Sequence, residues 1–405
     1  MRVLFTTPIL EHPAAGGPQL RVENSIKALS SVCDLYIVAR TSEYLMGGAS
    51  AADYYRQFCK QFITTPTARQ LFSNRYLRKG QNIVRNLIGG ELRNDGLFIM
   101  DILDKEKIDV LWFGYGNLSF SLMKHIKSRK PNIKVVCDTD SVWSRFVLRE
   151  LPYAKTIWRK AWIKRQGQKK QLEEKAWVNL CEITTAVSEV DAIYYRNLTN
   201  NPESVRLFSN VIDLSGYDPK PPPPSGFKNP CLYLAGTFGH YHSPMDTAAR
   251  WTVDEILPIV RKSIPDIHFY IVGSRSERTL GHLNSDGITV TGKLDSVLPY
   301  LCHADVALVP LKFESGTRFK ILEAAACNVP VVSTTLGAEG IPVTNGKDII
   351  LADDARTFAA GIVKIIKDKE YSKYIARNCR SLIHENYGIP RLEIEARAIL
   401  ESISQ

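Results

Sequence analysis

The chain has 405 residues, enough for two domains with substantial cores, and its 44% hydrophobic and 23% charged residues are those of a soluble globular protein. Its net charge of +10 resides entirely in residues 1–215, where 31 Lys and Arg stand against 21 Asp and Glu; residues 216–405 hold 21 of each, so an anionic substrate or surface is expected on one side only. No run of about 18 apolar residues exists, which excludes a membrane-spanning helix, and the start MRVLFTTP reads as a strand rather than a secretion leader. Eight cysteines without a C-x-x-C pair suggest reduced core thiols in a cytoplasmic protein and give little support to disulfides or a metal site.

In chain order, Val3 to Thr7 reads as a strand, about Gln19 to Leu29 as a helix and Asp34 to Ala39 as a second strand. Gly16-Gly17-Pro18 stands where the first strand meets its helix, at the carboxyl end of a parallel strand, where ligands bind. The pattern is not G-x-G-x-x-G and no acid closes the second strand, so a dinucleotide site is disfavoured. Residues 50–97 are polar and basic without clean periodicity; Arg69, Arg75, Arg78, Lys79, Arg85 and Arg93 recur among apolar residues, as in a solvated helical excursion or a helix lying on acidic lipid.

Val110 to Phe113 and Ile133 to Cys137 read as further strands, the second ending in Asp138-Thr139-Asp140. Such a triplet suits a divalent cation, acceptor contacts or the cap of a helix starting near Ser141. Lys155 to Lys175 is the most basic stretch, with eight cations, two acids, and Trp158 and Trp162 on one helical face. That composition fits an interfacial helix or a surface helix with its tryptophans turned inward; nucleic acid ranks last because no binding module accompanies it. DPKPPPPSGFKNP, from Asp218 to Pro230, is the clearest boundary, a stiff spacer between two βα arrays.

The second array runs through strands at Leu232 to Ala235, His268 to Val272 and Ile288 to Val290, with Gly236-Thr237 and Gly273-Ser274-Arg275 at the tips of the first two. It then reaches a β-loop-α-β unit: a strand from Val306 to Pro310, a loop with Ser315-Gly316-Thr317, a helix from about Phe319 to Cys327 and a strand from Val331 to Ser333. Gly316 allows close backbone approach to a ligand, the amides that follow lie at the positive end of a helix, and Arg318 and Lys320 add cations. One turn on, Glu323 interrupts an apolar face with a carboxylate suited to a vicinal diol such as a ribose. Phosphate at the helix start and ribose one turn in describe a nucleoside diphosphate. The same Lys320–Glu323 spacing also suits a surface ion pair worth a few tenths of a kcal/mol.

GTRFKILEAAACNVPVVSTTLGAEG resembles the signature of retaining glycosyltransferases of the GT-B fold, family 4. The resemblance implies an α/β chain of two Rossmann-like, doubly wound parallel-sheet domains facing across a cleft. The domains implied are 1–215 for the acceptor, a linker at 216–230, 231–387 for the nucleotide sugar, and a helix at 388–405 crossing back to the first domain. It implies that Glu323, Ser315, Gly316, Thr317, Gly236, Thr237, Gly273 and Arg275 hold the donor nucleotide, that Arg318, Lys320 and Glu314 serve catalysis, and that Gly16, Gly17, Asp138 and Asp140 line the acceptor and phosphate cleft. No metal or cofactor is implied, because D-x-D metal sites belong to the GT-A fold.

The sequence departs from that family's usual pattern at two places. Eight residues before Glu323 stands Ser315, with Glu314 nine before it, where two glutamates eight apart are usual; and no Arg or Lys stands between Gly236 and Ala249. The expected activity is retaining transfer of a sugar from a nucleoside diphosphate to a saccharide or lipid-linked saccharide, in bacterial envelope or exopolysaccharide synthesis. The expected place is the cytoplasm, with anionic membrane on the inner face of the cytoplasmic membrane as a partner surface. A nucleotide-sugar epimerase and a non-catalytic scaffold subunit are the alternatives.

Overall fold

The computed structural model describes residues 1–14, 16–65, 90–218, 220–316 and 319–404. The chain divides into two compact units, the first made of residues 1–144, 166–210 and 389–405, the second of residues 145–165 and 211–388.

The first unit is built on seven strands: β1 (Arg2–Thr7), β2 (Asp34–Ala39), β3 (Gln61–Thr64), β4 (Val110–Gly114), β5 (Lys134–Asp138), β6 (Ile183–Ala186) and β7 (Val205–Leu207). Their order is β3-β2-β1-β4-β5-β6-β7, and every pairing is parallel. Val3 to Thr7 and all five residues of β4 are buried, the near-continuous apolar run that a parallel sheet covered on both faces requires. Trp112 of β4 is fully buried and meets Phe208 edge-on at 5.1 Å. The C-terminal helix Ile389–Ser404 belongs to this unit, and its Glu395 accepts from Ser209 N at 2.7 Å and Ser209 Oγ at 3.0 Å.

The second unit holds β8 (Cys231–Ala235), β9 (His268–Val272), β10 (Ile288–Val290), β11 (Val306–Val309), β12 (Val331–Ser333) and β13 (Ile350–Leu351). These form an all-parallel sheet in the order β10-β9-β8-β11-β12-β13. Both sheets are thus doubly wound: the strand order reverses between β1 and β4 in one and between β8 and β11 in the other, and ligands bind outside the carboxyl ends of strands at such points.

The division between the units falls at Asn210/Val211, and residues 145–165, expected in the first domain, cluster with the second. The proline-rich stretch ends packed on the second unit, where Phe227 stacks on Tyr270 at 4.8 Å and Lys228 N donates to the Tyr270 hydroxyl at 2.6 Å. In the basic segment without periodicity, the helix Ala49–Arg56 and β3 are regular elements that composition did not disclose. Arg69, Arg75, Arg78, Lys79 and Arg85 lie outside the described residues, as does the side chain of Arg93.

Candidate functional site

In the second unit the loops after β8, β9 and β11 rise from three adjacent strands, since β8 pairs with both of the others. The loop after β11 runs into the helix Phe319–Ala326. Ile321, Leu322, Ala324, Ala325 and Ala326 bury the inner face of this helix, which leaves Lys320 and Glu323 half-buried on its edge. The last carbonyls are met by cations: Lys220 Nζ donates to Cys327 O at 2.9 Å, and Arg380 Nη1 donates to Ala326 O. Positive charge at the negative end of the helix leaves its amino end for an anion.

Glu323 accepts a hydrogen bond from the Tyr217 hydroxyl at 3.3 Å. Burial pushes its carboxyl above the usual range, and Lys320 and the Tyr217 bond oppose that shift. The site therefore keeps an acceptor group whose charge is costly unless a ligand hydroxyl meets it. Ser315 is buried, and Gly316 has φ +86°, a backbone that a side chain would strain. Glu314 is half-buried. Thr317 and Arg318 lie outside the described residues.

The loops after β8 and β9 interlock. Gly273 has φ +131°, and a Cβ there would stand 2.1 Å from Gly236 O. Phe238 N donates to Ser274 O at 2.9 Å. The fully buried Asp246 joins the two loops: it accepts from Gly239 N and His240 N at 3.1 Å each, from Ser243 Oγ at 2.8 Å, and from Thr279 Oγ1. Sequence reasoning missed Asp246, whose one local signal was its place three residues after a helix-capping Ser243. Thr237 and Arg275 are exposed on this rigid pair of loops, as are His240 and His242. The structure brings Gly236, Thr237, Gly273 and Arg275 together, and separately Ser315, Gly316, Lys320 and Glu323.

In the first unit Gly16 is extended at φ 166° and caps the helix Gly17–Ser30, which starts two residues earlier than the expected Gln19 because Pro18 suits the first turn. From this helix Arg21 reaches Asp138 at the end of β5; both are about 2% exposed. Arg21 Nη1 also donates to Asn210 Oδ1 at 2.7 Å and Nη2 to Phe208 O at 3.1 Å, and Thr185 Oγ1 donates to Asp138 at 2.8 Å. Asp138, expected at an acceptor surface or as a helix cap, is the anionic half of a buried ion pair, whose desolvation is offset by these hydrogen bonds. Asp140 accepts from Asn117 Nδ2 at 2.5 Å and Trp143 Nε1 at 3.1 Å, and burial holds its carboxyl above the usual range. Of the pair, Asp140 is the one with a side chain still half accessible.

A concavity of about 390 Å³, lined by Lys134, Asn179, Glu182 and Asn201 among others, lies at the amino ends of β5 and β6. That edge is opposite the one where a doubly wound sheet takes its ligand.

Residues 233–368 match the family model described as Glycosyl transferases group 1. An uncharacterized 44.6 kDa protein from the cps region of Klebsiella pneumoniae is 28% identical over 146 residues, 34% of this chain and 38% of that relative. The match thus spans little more than a third of that relative's length. Among solved structures, sucrose-phosphate synthase of Thermosynechococcus elongatus has a TM-score of 0.71 at 16% identity, covering 100% of this chain and 99% of that one. Anabaena HepE in complex with UDP and glucose has a TM-score of 0.66 at 12% identity, covering 99% and 100%. At such identities the likeness establishes the fold, which is GT-B.

Proposed function

We propose, from the match of residues 233–368 to the Glycosyl transferases group 1 model, that the chain is a retaining glycosyltransferase using a nucleoside diphosphate sugar. The observation that carries this is Glu323: a half-buried carboxylate whose charge burial disfavours, one turn inside a helix whose amino end follows the Ser315–Gly316 turn and whose far end is already met by cations. In this reading Glu323 accepts from the ribose hydroxyls and the amides at the helix start take the diphosphate. Lys320, with Arg318, stabilises charge as it develops on the leaving group. The departing phosphate takes the acceptor's proton on the same face, so no strong enzyme base is needed, and the chain's own cations do the work without a metal. Thr237 and Arg275 lie on the rigid paired loops as further donor contacts, and Gly16, Gly17 and Asp140 as acceptor-side contacts.

A structural neighbour, Anabaena HepE, binds UDP and glucose, which supports the donor class in part. The cps-region relative supports a place in envelope or exopolysaccharide synthesis. Association with an anionic lipid surface is supported by Ile157, Trp158 and Trp162, which stand exposed among lysines and arginines.

Thermal denaturation with UDP, GDP, dTDP and CDP, on wild type and on Glu323→Ala, tests the reading. One diphosphate is expected to raise the melting temperature of the wild type and to do so far less in the variant, since ligand bound only to the native state stabilises it by mass action. If no diphosphate stabilises the wild type, the reading falls and the scaffold alternative takes its place.

A further inference from the structure

The Ser315–Gly316 turn is held by residues remote in sequence. Arg149 Nη1 donates to the carbonyl of Glu314 at 2.7 Å, across 165 positions of chain. The same guanidinium forms a two-pronged pair with Glu339, Nη1 to Oε2 and Nη2 to Oε1, both at 2.7 Å. Arg145, one helical turn before Arg149, reaches Glu339 Oε1 at 3.3 Å. Beside these, Tyr153 lies against Phe313 with ring centroids 5.5 Å apart. All of these residues belong to the second unit.

Glu339 lies in the segment after β12, and the end of β12 with the residue that follows fixes the start of the same loop: Thr334 Oγ1 donates to Leu311 O at 2.6 Å and Ser333 Oγ to Val309 O at 3.3 Å. The loop after β11 is therefore tied at its beginning by Ser333 and Thr334 and at its middle, just before Ser315–Gly316, by Arg149. Arg149 and Glu339 are each only about a fifth exposed, and a bidentate pair fixes a guanidinium plane in a way a single contact does not.

We propose that Arg149 is a positioning residue for the donor loop: oriented by Glu339, it pins the Glu314 carbonyl and so sets the turn that presents backbone to the donor's phosphates. This rests on the donor site proposed above, and it accounts for the departure from two glutamates eight apart. The loop takes its geometry from a guanidinium and a backbone carbonyl, and Glu314 contributes that carbonyl.

The test is calorimetric binding of UDP, GDP, dTDP and CDP, and of the matching monophosphates, to wild type, Arg149→Ala, Arg149→Lys and Glu339→Gln. With the diphosphate that the wild type binds, Arg149→Ala is expected to lose about tenfold or more in affinity, the scale of one charge-assisted hydrogen bond. The monophosphate of the same base is expected to change by less than about twofold, because Glu323 and the base contacts remain. Arg149→Lys is expected to resemble Arg149→Ala, since one ammonium cannot span two carboxylate oxygens and a carbonyl. Glu339→Gln, which preserves shape, is expected to lie between them and wild type.

Equal losses for diphosphate and monophosphate would make Arg149 a general structural support and overturn the inference. So would full rescue by lysine, or unchanged diphosphate affinity in Arg149→Ala. A wild type that binds no diphosphate removes the donor site itself, an outcome distinct from all of these.

Discussion

Glu323 faces two opposed demands. Folding half-buries it, which favours the protonated form, while the ribose reading needs its carboxylate as a pure acceptor. The consequence for pH has two signs. A carboxyl whose folded value lies above its unfolded one contributes stability that is present below the unfolded value and is lost as pH rises through the folded one. Nucleotide binding through the same group runs the other way, weakening as pH falls through the raised value. The stabilisation of the wild type by its diphosphate is therefore expected to grow as pH rises through that raised value. In Glu323→Gln the part of that growth owed to this carboxyl should vanish, while the titration of the phosphate itself is common to both proteins. Parallel curves for the two would mean that Glu323 does not meet the ligand. Asp138, equally acidic in sequence, raises no such question, because Arg21 already satisfies it.

The elements that matter most are loops, and the paired turns after β8 and β9 show how little slack they have. Gly273→Ala would place a methyl 2.1 Å from Gly236 O at a φ of +131°. The expected cost is about 1–3 kcal/mol for the backbone alone, with a further loss as the two turns part. Urea unfolding should show a lower midpoint, and the diphosphate shift should shrink with it; unaltered stability would show that the loops separate freely. The same elements mark how far the sequence could be read. The β-loop-α-β unit was legible because Val306–Val309 and Val331–Ser333 are short apolar runs around a glycine turn and an amphipathic helix. β3 was not, because Gln61–Thr64 is half-buried throughout and alternates too briefly to register. Glu323 stood out as one carboxylate among alanines. Tyr217, Arg149 and Glu339 did not, for their partners lie 106, 165 and 190 positions away and no local pattern encodes such pairings, nor does one encode the bond from Thr279, 33 positions away, by which Asp246 joins the second loop.

At the scale of the whole molecule the charge asymmetry changes meaning once the units are known. Residues 145–165 hold seven Lys and Arg against a single Glu, so six of the ten excess charges sit in a segment that packs with the second unit. The same segment exposes Trp158 by 84% and Ile157 by 77%, beside an apolar cleft of about 460 Å³ lined by Leu151, Pro152, Ile157, Lys160, Ala161 and Lys164. The expectation of inward-turned tryptophans therefore gives way: Arg159 lies over the Trp162 ring at 4.5 Å, and Trp158 is exposed. An exposed aromatic ring on a segment rich in lysine and arginine suits the headgroup level of an anionic bilayer, where each lysine near the surface contributes about 1 kcal/mol. Vesicles containing anionic lipid are thus expected to sediment the protein at low salt and to release it as ionic strength rises. Replacing Lys160 and Lys164 with Glu should weaken binding by well over tenfold, since it exchanges about 2 kcal/mol of attraction for repulsion. Trp158→Ala should lower the part of the binding that survives high salt, because apolar burial is not screened. If neither variant changes sedimentation, the lipid reading fails, and Trp158 with its cationic surround must be explained by the acceptor alone.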